Sequence, residues 1–256
     1  MTRIEFLGTG TSHGIPVIGC HCPVCTSSDP HDKRYRSSIL IQKGNTSVVI
    51  DTGYEFRLQA LRAGIEHLDA VLYTHSHSDH LMGLDDLRVF TGDAKLPVYS
   101  TSSVLDSIES VFPYAFHDMP YKGVPRLERR AVAEHSSFTV GNLEFTVIPV
   151  MHGCMRIAGY RFGKCAYITD VSDMLFDEND GYLDGIDILI IGALRDKPHW
   201  SHFTFSQAVK NAKHIGAKHV YFTHINHATS YSEINMRFAP YAESAYDSLV
   251  LEVDDD

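Results

Sequence analysis

The segment Ala70-Val71-Leu72-Tyr73-Thr74-His75-Ser76-His77-Ser78-Asp79-His80 decides how this chain is read. Its apolar half is a strand, and its polar half delivers three imidazoles and one carboxylate within six positions. Those ligand types suit zinc and neighbouring first-row divalent ions, and packing alone gives no reason to collect them so tightly. A metal site at a strand end is therefore expected. The same arrangement, an apolar strand stopping at a metal-competent side chain, recurs further along the chain. Thr146-Val147-Ile148-Pro149-Val150-Met151 runs into His152, Ala166-Tyr167-Ile168-Thr169 into Asp170, and Val220-Tyr221-Phe222-Thr223 into His224. In open sheets covered by helices, ligands collect at the loops that follow strand carboxyl ends, so residues distant in sequence can converge there.

Length and composition bound the rest. A chain of 256 residues with 44% hydrophobic and 21% charged residues fits one globular α/β unit, and a single domain over 1–256 is expected. No apolar stretch approaches the roughly 20 residues of a membrane span. Met1-Thr2-Arg3-Ile4-Glu5-Phe6-Leu7 reads as a first strand without the apolar core of a secretory signal, so a cytoplasmic protein is expected. A net charge of −10 argues against an extended grip on a nucleic-acid backbone. Small anionic substrates stay open, because bound metal ions reverse the field locally. The acidic end Asp254-Asp255-Asp256 is expected to be frayed and solvated.

Turn and cap signals complete a layered pattern. Ser38–Ile41 and Ser47–Ile50 flank Gly44-Asn45, and Phe138–Val140 and Leu143–Phe145 flank Gly141-Asn142; both read as antiparallel hairpins. Helical spacing covers Glu55 to Ala63 before Gly64, and Thr204 to Ile215 before Gly216. Thr101 or Ser102 is placed to cap a further helix running toward Phe112.

In its ligand pattern the chain resembles the metallo-β-lactamase-fold hydrolases over nearly its whole length. That resemblance implies a four-layer αββα sandwich, two mixed sheets flanked by helices, with a dinuclear metal site. It implies that His75, His77 and His152 hold one ion, that Asp79, His80 and His224 hold the other, and that Asp170 bridges them. Asp51, at the end of Val48-Val49-Ile50, matches an aspartate behind the ligands, expected to accept a hydrogen bond from a ligating imidazole or nearby backbone. Two divalent ions, the carboxylates of Asp79 and Asp170 and one hydroxide sum to about +1, a field that attracts a phosphodiester. Attack by a metal-bound hydroxide then follows, with ions roughly 3.5–4 Å apart stabilising both attacking and leaving oxygens. His77 stands where flavo-di-iron relatives carry Glu.

Cys20, Cys22 and Cys25 form Cys-x-Cys-x-x-Cys in a Gly- and Pro-rich loop, a spacing that favours metal ligation over a disulfide framework. The trio needs a fourth ligand for a closed tetrahedral zinc. The phosphodiesterase branch of the superfamily pairs such a trio with a His three residues after the last catalytic His, which here is His227 in Thr223-His224-Ile225-Asn226-His227. The chain is thus similar to the cyclic-phosphate phosphodiesterases of the phosphonate (carbon–phosphorus lyase) pathway and their relatives. Asp51-Thr52-Gly53 with Phe56-Arg57-x-Gln59, Gly83-Leu84-Asp85-Asp86-Leu87-Arg88 and Ala193-Leu194-Arg195 carry the same likeness. One departure is Tyr246-Asp247-Ser248, where Tyr-Asp-Gly is more usual. Cys154 and Cys165 are expected to be isolated core thiols.

By the same resemblance His202, in His199-Trp200-Ser201-His202, is the general acid that protonates the leaving alkoxide, with His199 as the alternative. Arg57, Arg88 and Arg195 are candidate phosphate or ribose contacts, and Tyr114, Phe116 and Tyr121 either pocket walls or core. The expected cofactors are two active-site divalent ions, manganese or zinc with iron an alternative, and one structural zinc. A small phosphate ester is the expected partner, with no membrane, no extended nucleic-acid surface and a homodimer as in related enzymes. The alternatives are a tRNA 3′-processing endonuclease-like hydrolase and a non-catalytic metal-binding protein of the same fold.

Overall fold

In a computed structural model, described here for residues 1–92 and 94–254, period-two burial sorts each central strand onto two apolar faces. The first half supplies β1 (Thr2–Gly8), β2 (Ser38–Lys43), β3 (Thr46–Ile50), α1 (Phe56–Ala63), β4 (Ala70–Leu72), α2 (Ser78–Leu81), β5 (Leu96–Ser100), α3 (Ser102–Val111), α4 (Pro113–Phe116) and β6 (Leu127–Ala131). The second supplies β7 (Ser137–Val140), β8 (Leu143–His152), β9 (Met155–Phe162), β10 (Cys165–Ile168), β11 (Ile188–Gly192), α5 (Phe205–Ile215), β12 (His219–Thr223), α6 (Tyr231–Phe238), β13 (Ala242–Ser244) and β14 (Val250–Val253). Two seven-stranded sheets result, in the orders β14-β1-β2-β3-β4-β5-β6 and β7-β8-β9-β10-β11-β12-β13. Read in those orders, each begins antiparallel through its fourth strand and continues parallel to its end. Under this shared pattern β3 corresponds to β10.

Three apolar clusters separate four layers. Ile4, Phe6, Ile39, Val48, Ile50 and Leu72 of the first sheet meet Phe145, Val147, Tyr160, Tyr167 and Ile190 of the second. On the outer face of the first sheet, Leu40, Val49, Val71 and Val98 pack against Phe56, Leu105 and Ile108 of the helices. On the outer face of the second, Ile168, Leu189, Ile191, Val220 and Phe222 pack against Phe205, Ala208, Ala212 and Ile234. Val49 thus faces a helix while its neighbours Val48 and Ile50 face the other sheet. This is the two-mixed-sheet αββα architecture expected. No helix among the described residues is long and apolar enough to cross a membrane.

The hairpins form around Gly44 and Gly141, at φ 58° and 53°. The strand after Gly141-Asn142 and the strand running into His152 are one element, the ten-residue β8. Pro149 is accommodated there because β7 pairs with β8 only through Thr146, so no partner on that side needs its missing N–H. Helix α5 starts at a capping box, Thr204 with Gln207, and stops at Gly216 with φ 81°. Thr101 takes the cap position of α3, but its hydroxyl pairs with Ser103 at 3.3 Å rather than closing the first turn. Of the acidic end, Asp255 and Asp256 lie outside the described residues.

The long β1–β2 connection is tied down by the buried Arg34. Its guanidinium donates to Thr9 Oγ1 at 2.7 Å, to the Ala245 carbonyl at 2.5 Å and to Ser244 Oγ at 2.9 Å. Asp247 accepts from Thr9 Oγ1 and from the Tyr35 N–H, each at 2.8 Å. The chain then turns at Ser248, whose φ of 76° is costly for a side chain bearing a Cβ. Ser248→Gly should therefore raise stability by about 0.5–1 kcal/mol, read as a higher urea midpoint at unchanged slope. A lower midpoint would show that the hydroxyl, not the backbone, governs this turn.

Candidate metal centre

The strand-end ligands meet because β3, β4, β8, β10 and β12 all finish at one end of the two sheets. His75, His77 and His152 form one group whose ligand atoms lie within 4.8 Å of one another, and Asp79, His80, Asp170 and His224 form a second. Asp170 stands between them: its carboxylate is 3.9 Å from His75 Nε2, 3.3 Å from His80 Nε2 and 3.2 Å from His224 Nε2. Asp79 is 3.3 Å from His80 Nε2 and 3.5 Å from His224 Nε2. His77 is exposed, while the others are buried.

The backbone bends sharply to make this convergence. Asp51, Asp170 and His224 adopt positive φ, at 64°, 51° and 56°, each within two residues of a strand end. Non-glycine residues rarely take that conformation, and they do so chiefly where surrounding contacts over-determine it. Asp51 and Asp170 follow the corresponding strands β3 and β10, so the same kink serves both halves.

Asp51 sits behind the ligands. Its Oδ2 is 2.7 Å from His80 Nδ1 and accepts from Thr74 Oγ1 at 2.8 Å, while Oδ1 accepts the Thr74 N–H at 2.8 Å. Thr74 Oγ1 in turn lies 2.9 Å from His75 Nδ1. One carboxylate therefore orients two imidazoles, His80 directly and His75 through a hydroxyl, presenting the Nε2 of each to the centre. His152 is fixed likewise by a 2.9 Å hydrogen bond from Nδ1 to the Ser201 carbonyl.

Three observations test the fit to a divalent cation. His75 Nε2, His80 Nε2 and both ring nitrogens of His224 are buried without a well-aligned hydrogen-bond partner. Burial opposes ionisation of Asp79 and Asp170, yet His80 and His224 hold both carboxyls below the usual carboxylate range. Burial also presses on His80, but Asp170, Asp79 and Asp51 outweigh it and keep that imidazole well above its usual value. Burial, with His80 beside it, drives His75 well below. Such a site pulls positive charge inward, and neutral imidazoles with ionised carboxylates are the donor set of a divalent metal.

His202 belongs with this cluster. Its ring lies 4.7 Å from that of His152 and stacks at 4.9 Å on His224, and His152, Asp170 and His202 form a further convergent group. Burial and the neighbouring His224 hold it down to about 3. His199 lies farther out, its ring 5.1 Å from His202 and its Nδ1 3.2 Å from Ser201 Oγ.

The second centre is also assembled. Cys20, Cys22 and Cys25 place their Sγ atoms 3.4, 3.3 and 3.5 Å from His227 Nδ1. Tetrahedral zinc with bonds of about 2.3 Å to sulfur and about 2.0 Å to nitrogen requires nearly this spacing. Backbone N–H groups of Cys25 and Val17 point at the sulfurs of Cys22 and Cys25, at 3.4 and 3.3 Å. The Cys25 N–H is the main cause bringing Cys22 down to about 6, while burial pushes Cys25 up to about 11. Three sulfurs so close cannot share negative charge without a cation. The loop also pairs with the last ligand segment, Thr11 N–H donating to the Ile225 carbonyl at 3.0 Å and Ile225 N–H to that of Thr9 at 3.0 Å.

Other candidates stand elsewhere. Arg57 lies on the exposed side of α1, beside a groove of about 510 Å³ that also includes Phe56, Leu61, Val89 and Phe90. Arg88 is paired with Asp85 and donates to the Gly123 carbonyl at 2.9 Å. Neither is among the residues gathered at the ligand cluster; in Gly83–Arg88 the leucines are buried and the arginine is exposed. Arg195 is half-buried, near His199, and donates to the Lys197 carbonyl at 3.1 Å. Tyr114 donates to Asp85 Oδ1 at 2.9 Å, and Tyr121 lines a separate cavity of about 400 Å³ with His117, Met119 and Arg126. Cys154 is exposed, at the β8–β9 turn, whereas Cys165 is buried as expected.

Thr74 and Arg36 were not anticipated. Thr74 had a signal: a threonine precedes His75, Asp170 and His224 alike. Arg36 donates from Nε to the Ser12 carbonyl at 3.0 Å, pairs with Glu55 and lies over the Tyr54 ring at 5.1 Å. Burial lowers its guanidinium pKa, and Asp79 lies near enough to oppose that shift. No local pattern marks such a residue.

Comparison with known proteins agrees with this geometry. The β-lactamase superfamily domain matches residues 46–225. A crystal structure of a diphosphatase from the PhnP family superposes with a TM-score of 0.91 at 41% identity, covering 99% of this chain and 98% of that one. An octanoyltransferase of Porphyromonas gingivalis is 40% identical over 99% of this chain but only 52% of its own length. Ribonuclease Z of Mycobacterium bovis is 28% identical over 54% of this chain and 44% of its own. The chain thus spans about half the length of these curated relatives. Fold and site together define a protein of the metallo-β-lactamase fold with clustered side chains that could hold metal ions. The chain belongs to the β-lactamase superfamily and, within it, to the PhnP family.

Because Asp51 holds the His80 and His75 rings, Asp51→Ala should weaken metal retention about 10- to 100-fold. Metal content after dialysis against a graded chelator checks this; unchanged retention would assign Asp51 to the strand turn alone.

Proposed function

We propose that this chain is a dinuclear metal-dependent phosphodiesterase acting on a small cyclic or nucleotide-like phosphate ester. What carries this is the placement of Asp170 within reach of His75 on one side and of His80 and His224 on the other, with His202 beside the pair. His75, His77 and His152 would hold one ion and Asp79, His80 and His224 the other, with Asp170 shared. Manganese, zinc and iron all suit such ligands. Bound there, divalent ions supply hydroxide at neutral pH and offset charge on the phosphate oxygens.

The protein's own groups do the rest. Asp51 and Thr74 keep His80 and His75 aimed at the centre, and the Ser201 carbonyl does so for His152. Alkoxide is a poor leaving group, and His202 is placed to give its proton to the departing oxygen. In the free site burial and His224 keep His202 neutral. An anionic ester beside it opposes that shift and favours the protonated form. A diphosphate linkage is a second reading, supported by the name of the 41%-identical PhnP-family structure. Its phosphate leaving group needs less help from His202. The net charge of −10 weighs against gripping tRNA as a ribonuclease Z would.

We assign the cysteine centre to a structural zinc that ties the N-terminal loop to the loop bearing His224. A homodimer is proposed from the resemblance to the related phosphodiesterases. A panel of bis-p-nitrophenyl phosphate, ribose cyclic phosphates, 2′,3′-cyclic nucleotides, a thioester and pre-tRNA tests the assignment; turnover of the thioester alone overturns it, and no turnover leaves a metal-binding protein.

His202→Ala should cost about 100-fold or more with an alkyl leaving group and less than about tenfold with p-nitrophenol. Equal losses remove the proton-donor role. Cys22→Ser should cost one equivalent of zinc and lower the melting temperature, since metal binding contributes to folding. Unchanged zinc and melting temperature would sink the clip.

A further inference from the structure

Trp200 is the chain's single tryptophan, and 73% of it is exposed. A large aromatic left in water contributes little to the core, and this one is held in place next to the metal ligands. Its ring lies against Gly153, the residue after His152: a Cβ there would stand 2.0, 2.6 and 2.7 Å from three carbons of the indole. Gly153 also has φ of 59°, and its N–H donates to Ser172 Oγ at 2.9 Å. On the other side Ser201 is bound to His152 through its carbonyl, and the Phe203 N–H donates to the Val171 carbonyl at 2.8 Å. The indole is therefore fixed at the rim, 6.4 Å from the His199 ring, with His202 following two positions on.

We propose that Trp200 is the stacking platform for the base of the substrate, which makes the ester class a nucleoside phosphate rather than a bare sugar phosphate. This rests on the phosphodiesterase assignment. A phosphate at the ligand cluster leaves the remainder of a nucleotide to extend past His202 and His199 toward the rim, where every base can offer a π-face to an indole. The Gly153 contact explains how the ring is presented: with no side chain beneath it, the indole lies down on the backbone and keeps its remaining surface for a ligand. Base stacking on an aromatic side chain changes affinity by about tenfold or more.

Because Trp200 is the only tryptophan, its fluorescence in the intact metal-loaded protein reports on the rim directly. Adenosine 5′-monophosphate should quench it saturably, and ribose 5-phosphate should not. Trp200→Ala should weaken binding of adenosine 5′-monophosphate about tenfold by calorimetry with an unchanged melting temperature, and Trp200→Phe should restore most of it. Absence of quenching, equal quenching by ribose 5-phosphate, or unaltered affinity in Trp200→Ala would overturn the proposal. Turnover of bis-p-nitrophenyl phosphate by the same preparation separates the two ideas. With it, failed quenching removes only the stacking role; without it, the phosphodiesterase assignment itself fails.

Discussion

Buried negative charge needs a cation, and that need organises this molecule. Asp79 and Asp170 are withdrawn from water and held ionised among imidazoles, of which His75, His80 and His224 have buried ring nitrogens without a well-aligned hydrogen bond. Leaving such charge unpaired in a low-dielectric interior costs several kcal/mol per ion. Protonating His80 relieves only part of it, because one of its nitrogens already serves Asp51. Side chains from position 75 to position 224 are thereby committed to one volume, and the sheets, kinks and loops around it keep them there.

The fold meets that commitment by repetition. Both sheets change from antiparallel to parallel at the same point in their order, and the strands at the change, β3 and β10, are followed by Asp51 and Asp170 in the same left-handed conformation. One aspartate faces the ligand rings from behind and the other stands among them. The cysteine loop reinforces the arrangement from outside, since its backbone pairs with the residue after His224. The two clusters of metal-competent side chains are thus mechanically linked through Thr9–Thr11 and Ile225.

Much of this was legible in the amino-acid order because the chemistry is local. His75 to His80 and Cys20 to Cys25 announce themselves by ligand type and spacing, and apolar runs ending at His152, Asp170 and His224 mark strand ends. What could not be read depends on direction in space. Arg57 and Arg88 lie in matching motifs, yet Arg57 lines a groove beside α1 and Arg88 pairs with Asp85. Arg36 and Trp200 carry no motif, and their places follow from Ser12, Glu55 and Gly153 folding against them. The merging of two expected strands into β8 reflects a pairing limit, since β7 ends before Pro149.

The sharing of one volume by two cations is tested most directly by anomalous diffraction from crystals of the metal-loaded protein, collected at the absorption edges of its metals. The account predicts two peaks flanking the Asp170 carboxylate and a third, at the zinc edge, between the three cysteine sulfurs and His227. A map with no peak between Asp170 and the surrounding imidazoles would contradict it.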